Sequence, residues 1–224
     1  MTLRNTSSRY GSVSRSLHWL TALLIIGMIP LGIIANDAPF TNDAELNTKF
    51  LLFSLHKTLG ITLFGVAVLR VLWAISQPRP GPVHPDRRLE TFLADLVHWL
   101  LYASLILLPV TGWIEHAAMP GLAPIWWPFG QGLPFVPAAF WLAEMAGALH
   151  VIFGKVLIGA ILLHLAGALK HHVIDRDGTL LRMVSGQDTP GTMAQKRQKA
   201  AIIAALLVYV SAVGVGAALG LFPA

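Results

Sequence analysis

The chain has 224 residues, of which 55% are hydrophobic and only 12% are charged, and its mean hydropathy is +0.65. Soluble globular domains carry about 25% charged residues, so this composition excludes an ordinary water-soluble enzyme. The absence of cysteine from the sequence excludes disulfides, iron–sulfur clusters and covalently attached c-type haem. Nine histidines remain as candidate metal-binding or proton-transferring groups.

Five apolar stretches are long enough to cross a bilayer as helices, which requires about 20 residues each. In chain order they are Leu17–Ala35, Leu51–Ile75, Phe92–Ile114, Ala146–Leu169 and Ala200–Phe222. The sequence shows no period-two pattern of the kind that predicts a strand meander. We therefore expect an all-α transmembrane helical bundle with short tails and loops.

The basic residues indicate how this bundle is oriented in the membrane. The N-terminal tail and the second and fourth connections carry twelve of them, whereas the first loop has only Lys49 and the third has none. The twelve are Arg4, Arg9, Arg15, Arg79, Arg87, Arg88, Lys170, Arg176, Arg182, Lys196, Arg197 and Lys199. The positive-inside rule then predicts a cytoplasmic N-terminus and a periplasmic C-terminus. Because these residues flank membrane helices, the net charge of +5 does not indicate a nucleic-acid partner.

The third loop is rich in tryptophan and proline and cannot span the membrane as a helix. Its residues include Pro124, Trp126, Trp127, Pro128, Phe129, Pro134 and Trp141. Tryptophan prefers the membrane–water interface, so the loop is interpreted as an aromatic anchor at the outer surface. The alternative interpretation is a lid over a site on that side.

Two histidines of the fourth span predict a pair of sites across the membrane. His150 and His164 are 14 residues apart, which is about 21 Å along a helix and only about 40° short of four full turns. Both imidazoles therefore lie on one face, one toward each membrane surface. Ionisable groups inside a bilayer are costly and are functional candidates by default.

Each of these histidines requires a partner at the same depth on another helix. His56 begins the second span and matches the depth of His150, while His18 begins the first span and matches His164. His98, in the third span, rivals His18 by depth. The spacing favours two bis-histidine haems, but a histidine-lined metal or proton path and purely structural histidines remain alternatives. Zinc fits less well because no carboxylate adjoins these histidines.

Several strings of the sequence resemble the bacterial cytochrome b561 family of inner-membrane di-haem proteins. They are "RYGSVSRSLHWL", "LHKTLGITLFGVAVLRVLW", "LPVTGW" and "ALHVIFGKVLIGAILLHLAGALKHHVIDRDGTLLRM". The resemblance implies two non-covalent haem b groups, one held by His18 and His164 and the other by His56 and His150. The resemblance covers the first four helices, nearly from Arg9 to Met183, and residues 1–183 are expected to form a four-helix di-haem domain. Residues 184–224 depart from the family core as a cytoplasmic linker and a fifth helix.

The resemblance also implies a function for the chain. The family exchanges electrons between the quinone pool and a donor or acceptor, and some members are associated with superoxide oxidation at the outer face. We therefore expect a protein of the bacterial inner membrane that uses ubiquinone or ubiquinol and a small-molecule or protein redox donor. One alternative is the cytochrome b anchor subunit of a larger redox enzyme, and a second is a histidine-lined metal-ion transporter.

The remaining polar residues support narrower expectations. Lys57 and Lys155 are interpreted as counter-ions of haem propionates or as attractors of a small anionic donor. Asp95 is expected to pair with Arg87 or Arg88, or to take a quinone proton.

Three further features concern the ends of the helices. His116, which follows Glu115 at the outer end of the third span, is a candidate proton relay. His171 and His172 are expected at the inner interface. In the fifth span, Gly216-x-x-x-Gly220 is a close-packing pattern interpreted as a surface for a homodimer or another partner.

Overall fold

The computed structural model describes residues 2–120, 123–126, 131–189 and 198–223, and all of their regular secondary structure is helical. The long helices are α1 (Ser12–Asp37), α2 (Asp43–Ile75), α3 (Arg88–Ala118), α4 (Phe140–Leu169) and α6 (Gln198–Ala218). A π-helical segment, Lys170–Asp175, extends α4, and the short helix α5 covers Thr179–Val184. Five helices of the described part are long and apolar enough to cross a membrane, which confirms the predicted all-α membrane bundle. Trp127, Pro128, Phe129, Lys196 and Arg197 lie outside the described residues.

The helices begin earlier than the apolar stretches, and in α2 polar side chains cap the additional turns. In α2 the side chain of Asn42 accepts a hydrogen bond from the Glu45 amide at 3.0 Å, and the Glu45 carboxylate accepts one from the Thr41 amide at 2.8 Å. This reciprocal pair satisfies backbone donors that the first turn leaves free. The helix therefore starts at Asp43, whereas hydropathy alone places the span from Leu51.

The bundle consists of two antiparallel helix pairs with an additional helix on one side. Helix α1 packs along α2, and α3 packs along α4; α2 and α3 join the two pairs, and α6 lies against α3 and α4. By contrast, α4 makes almost no close backbone approach to α1 or α2 among the described residues. The space between α4 and the first helix pair is therefore wide, and the four predicted ligand histidines belong to the helices that border it.

An apolar layer crosses the middle of the bundle. Ile25, Leu63, Leu105 and Leu157 come from α1, α2, α3 and α4 and pack together as buried residues. Each of the four helices contributes one side chain, so this layer joins the two helix pairs halfway along their length. On the outside, large apolar side chains are exposed along the helices, including Leu23, Ile26, Leu69, Leu72 and Leu162. An apolar exterior of this extent is typical of a surface in contact with lipid.

Helix α6 is held on the bundle by a buried tyrosine. The hydroxyl groups of Tyr209 and Ser104 lie 2.6 Å apart, and the Tyr209 hydroxyl donates to the Leu100 carbonyl at 2.9 Å. The Tyr209 ring meets Phe153 of α4 edge-on, with ring centres 5.4 Å apart. One side chain therefore joins α6 to both helices of the second pair.

The two glycines of the fifth span do not form one packing surface. Gly216 is buried, and a Cβ added there would lie 2.5 Å from Ile152 Cδ1, so this glycine packs on α4 of the same chain. Gly220 lies beyond the end of α6, with a φ of 69°. The interpretation of this pattern as a homodimer or partner surface is therefore unsupported by the structure.

We predict that Tyr209→Phe destabilises the protein because it removes the hydroxyl that joins α6 to α3. Hydrogen bonds within membrane bundles contribute on the order of 1 kcal/mol, which corresponds to a decrease in Tm of about 2–4 °C. Thermal unfolding of the detergent-solubilised protein measures this decrease. Ser211→Ala, which changes an exposed hydroxyl on the same helix, serves as the control and should leave Tm unchanged. An equal Tm for both variants would show that Tyr209 does not anchor α6.

Candidate functional site

The structure brings together both predicted histidine pairs. The ring centres of His18 and His164 are 6.1 Å apart, and those of His56 and His150 are 6.2 Å apart. An imidazole nitrogen binds a first-row metal at about 2 Å, and the ring centre lies roughly 1 Å behind it, so rings on opposite sides of one iron have centres about 6 Å apart. Both separations match that requirement. The donor set, neutral nitrogen ligands from facing helices, also suits haem iron.

Two glycines lie directly against the imidazole rings of the second pair, and each is called here the seat of its ring. A Cβ added to Gly32 of α1 would lie 2.7 Å from Cε1 of His56, and one added to Gly112 of α3 would lie 3.1 Å from Nδ1 of His150. Each ring therefore rests on a neighbouring helix at a position where a larger residue would collide with it. The absence of a side chain at these two positions lets the rings lie flat against the helix backbone.

Backbone carbonyls beside these glycines orient the rings. The Nδ1 of His150 lies 2.9 Å from the Leu108 carbonyl oxygen, four residues before Gly112. A carbonyl only accepts, so Nδ1 carries the hydrogen and Nε2 keeps its lone pair for a metal. His56 has a similar neighbour in the backbone of Met28, four residues before Gly32, although its buried Nδ1 closes no hydrogen bond within the described part of the chain.

The first pair is part of a group of three histidines. His98 of α3 lies beside His164 with ring centres 5.3 Å apart, and its Nδ1 is 2.6 Å from the Ala94 carbonyl, which leaves Nε2 free. His18 differs because its Nδ1 accepts a hydrogen bond from the Arg70 guanidinium at 3.0 Å. Hydrogen bonding thus prepares Nε2 of His98 for a ligand at least as well as that of His18. The sequence predicts both His18 and His98 as candidate partners of His164, and in the structure both rings lie beside it.

The end of the bundle that contains His56 and His150, here called the distal end, carries a polar network. Lys57 Nζ lies 3.1 Å from Nδ1 of the buried His116 and 3.4 Å from the carbonyl of Ala123 in the third loop. The Nε2 of His116 lies 3.2 Å from the Gln131 side-chain oxygen. His116 thus lies between a lysine on α2 and the loop that follows α3.

The third loop is held over this network by further hydrogen bonds. The Trp126 amide donates to the Thr58 hydroxyl at 2.9 Å, and the Trp113 indole donates to the Gln131 carbonyl at 3.0 Å. Residues of the loop therefore contact both α2 and α3. This arrangement favours the interpretation of its described residues as a cover over the distal end.

The opposite end, here called the basic end, is joined by ion pairs. The Asp177 carboxylate lies 3.1 Å from His84 Nε2 and 2.8 Å from His171 Nδ1, which ties the second connection to the end of α4. Burial opposes ionisation of Asp177, but hydrogen bonds from Thr179 and His171 outweigh it and hold its pKa below the ordinary value. The carboxylate is therefore anionic at neutral pH. Sequence reasoning had assigned no role to this residue.

Asp95 pairs with Arg79 at 2.6 Å, so the expected pairing with Arg87 or Arg88 is wrong. The chain between Gln77 and Arg87 folds back along α3, and this places Arg79 rather than the nearer residues in sequence beside Asp95.

Three potential metal ligands also meet at the basic end. Glu90, His171 and Asp175 have donor atoms within 4.8 Å of one another. Lys170 lies 2.7 Å from Glu90 and 2.9 Å from Asp175, and Arg87 lies 2.9 Å from Asp175. These two cations already neutralise the carboxylates, so we interpret the group as an ion-pair network that fixes the end of α4.

The sequence pattern did not identify Gly32, Gly112 and Arg70 as neighbours of the histidines. Contacts across helices have no signal in a single sequence, although each missed residue lies in an apolar stretch that was predicted.

Comparison with known proteins places these features in a family. The family model described as prokaryotic cytochrome b561 matches residues 9–186. Cytochrome b561 homolog 2 of Escherichia coli (strain K12) is 32% identical over 82% of this chain and 95% of its own length. Probable superoxide oxidase CybB of Yersinia pestis is 28% identical over 79% of this chain and 96% of its own length. Cytochrome b561 homolog 1 of Escherichia coli (strain K12) is 26% identical over 79% of this chain and 97% of its own length. The chain therefore belongs to the prokaryotic cytochrome b561 family, as a multi-pass bacterial membrane protein that binds haem b and transfers electrons.

Proposed function

We propose that this chain is a di-haem electron-transfer protein of the inner membrane. His18 and His164 hold one haem b, and His56 and His150 hold the other. The observation that carries the proposal is the placement of His150 and His164 on one helix, each facing a second histidine at about 6 Å between ring centres. The two pairs are separated by about 21 Å along α4.

The residues around the pairs fit this cofactor. Helix α4 makes almost no close backbone approach to the first helix pair among the described residues, as a flat macrocycle between them would require, while Gly32 and Gly112 let the rings of His56 and His150 lie against their neighbours. Haem b supplies the reversible one-electron chemistry of its iron. The protein orients the ligands and keeps the apolar layer at Ile25, Leu63 and Leu157 between the two sites.

We further propose that electrons move between a donor at the distal end and the quinone pool, as in a superoxide:ubiquinone oxidoreductase. The name of the Yersinia pestis relative, probable superoxide oxidase, supports this assignment. Lys57 follows His56 in sequence and contributes a positive charge at the distal end, which favours the approach of an anionic donor. Lys155, by contrast, lines a separate groove between α4 and α6 with Ser211 and Val215. The basic end would face the cytoplasm under the positive-inside rule.

Quinone reduction by the purified, haem-loaded protein tests this function. We expect the protein in detergent to reduce a soluble ubiquinone analogue when superoxide is supplied, faster than the uncatalysed reaction. A requirement for a co-purifying soluble subunit would instead favour the anchor-subunit alternative. A reduced-minus-oxidised spectrum without a haem b band would contradict the proposal at its first step.

Removal of single ligands should assign the pairs. We predict that His56→Ala and His150→Ala each lower the haem content by the same one haem, whereas His18→Ala and His164→Ala each remove the other. A haem assay and redox titration of each purified variant distinguish the two sites. If His98→Ala removes a haem and His18→Ala does not, His98 is the partner of His164.

A matched pair of glycine variants tests the seat of His56. We predict that Gly32→Val lowers the haem content by about one per chain, because its side chain occupies the position of the His56 ring. Gly27→Val on the same helix, where an added Cβ has no neighbour within 4 Å among the described residues, should retain the full content. Equal haem contents would show that Gly32 is not required for that ring position.

A further inference from the structure

A pocket at the distal end lies between the ends of three helices. It has a volume of about 490 Å³. It is lined by Glu115 of α3 and Met119 just after it, Phe140 and Gly147 of α4, and Leu221 and Phe222 beyond α6. Small-molecule sites are mostly apolar and occupy about 300–1,000 Å³. This pocket thus has the size and character of a ligand site.

Leu221 and Phe222 form the third wall of the pocket, beside the walls that α3 and α4 provide, and a sharp turn after α6 places them there. The Leu221 amide donates to the Gly216 carbonyl and the Gly220 amide to the Ala217 carbonyl, both at 3.0 Å. With Gly220 at a φ of 69°, these bonds form a Schellman motif. The turn directs Leu221 and Phe222 back toward α3 and α4. This wall lies beyond residue 186, where the match to the family ends.

Glu115 supplies a hydrogen-bond acceptor in this apolar pocket. Its carboxylate is half-buried, and a Cβ on Gly147 would lie 3.1 Å from Oε1, so the absence of a side chain there gives the carboxylate room. It makes no hydrogen bond or salt bridge with another residue of the described chain, although Lys57 attracts it electrostatically. The carboxyl oxygens of Glu115 accept hydrogen bonds, so a ligand that presents a hydroxyl group suits this position.

The surroundings restrict the ligand further. Phe140 and Val151 at the rim are exposed on the apolar flank of the bundle, so a lipophilic molecule can enter from the bilayer. Gly147 lies three residues, or roughly one helical turn, from His150. A ligand in the pocket is therefore adjacent to one of the proposed haem sites.

We propose that this pocket binds the ring of a quinol, with a ring hydroxyl donating a hydrogen bond to Glu115. A quinol combines an aromatic ring, an apolar tail and two hydroxyl donors, and these match the walls, the opening and the carboxylate. This inference rests on the proposed quinone-linked function and names the site for it.

Binding of a redox-inert quinol mimic tests the pocket apart from electron transfer. The probe is 2-heptyl-4-hydroxyquinoline N-oxide, titrated by its fluorescence into the haem-loaded protein reduced with dithionite. Glu115→Gln replaces one carboxyl oxygen by an NH2 group, which cannot accept a hydrogen bond, so we expect it to weaken binding about tenfold. Phe222→Ala, which opens the third wall, should also weaken it. Asp43→Asn, the same kind of change at an exposed carboxylate of α2 outside the pocket, is the control and should bind as the wild type does.

The outcomes separate this inference from the proposed function. If Glu115→Gln and Phe222→Ala bind the probe as the wild type does, while quinone reduction persists, the quinol lies elsewhere and the pocket assignment is wrong. If the wild type neither binds the probe nor exchanges electrons with a quinone, the quinone-linked function itself fails, and the inference fails with it. An equal loss in Asp43→Asn would show a general effect of charge and would overturn the role of Glu115. An unchanged haem spectrum in each variant verifies that its fold is intact.

Discussion

The separation of α4 from α1 and α2 is the constraint on which the rest of the architecture depends. A bundle of apolar helices would ordinarily close by direct packing of side chains, as α3 and α4 do here. Along this gap, two pairs of imidazole rings instead face each other about 6 Å apart. In the described part of the chain, the apolar layer around Leu63 and Leu157 crosses the gap. With haem bound as proposed, the cofactor would contribute to the packing of the bundle as well as to its chemistry.

This constraint explains why α3 and α6 pack as they do. Because α4 does not pack along the first helix pair, packing contacts on its other side must hold it in position. Helix α3 supplies most of that support, and α6 adds Tyr209, whose hydroxyl reaches α3 while its ring contacts Phe153 of α4. In this view the fifth helix stabilises the position of α4. The same packing brings the chain after Gly220 next to Glu115.

Much of the fold follows from the sequence, because the bilayer imposes simple rules on length and hydropathy. Counting residues along straight helices predicts the five spans. It also predicts that His56 faces His150 and that His18 faces His164. The seats of the rings could not be predicted in this way. Gly32 and Gly112 are ordinary glycines in apolar stretches, and only the relative rotation of neighbouring helices places them beneath a histidine. The partner of Asp95 was missed for a similar reason, since the path of a loop rich in proline is not periodic.

The two ends of the bundle differ in how they hold their histidines, and this difference has a physical consequence. At the distal end, the Leu108 carbonyl fixes the tautomer of His150 and increases the basicity of Nε2. At the basic end, the Arg70 guanidinium instead donates to His18 Nδ1 and places a positive charge beside the ring. A neutral His18 in this arrangement carries its hydrogen on Nε2, so binding of a metal there requires Arg70 to exchange that hydrogen bond for another acceptor. Haem propionates are anionic acceptors of the kind that arginine prefers. Thus the assignment of His18 over His98 depends on where Arg70 donates when the cofactor is bound, and one arginine couples ligand choice to cofactor binding at that end.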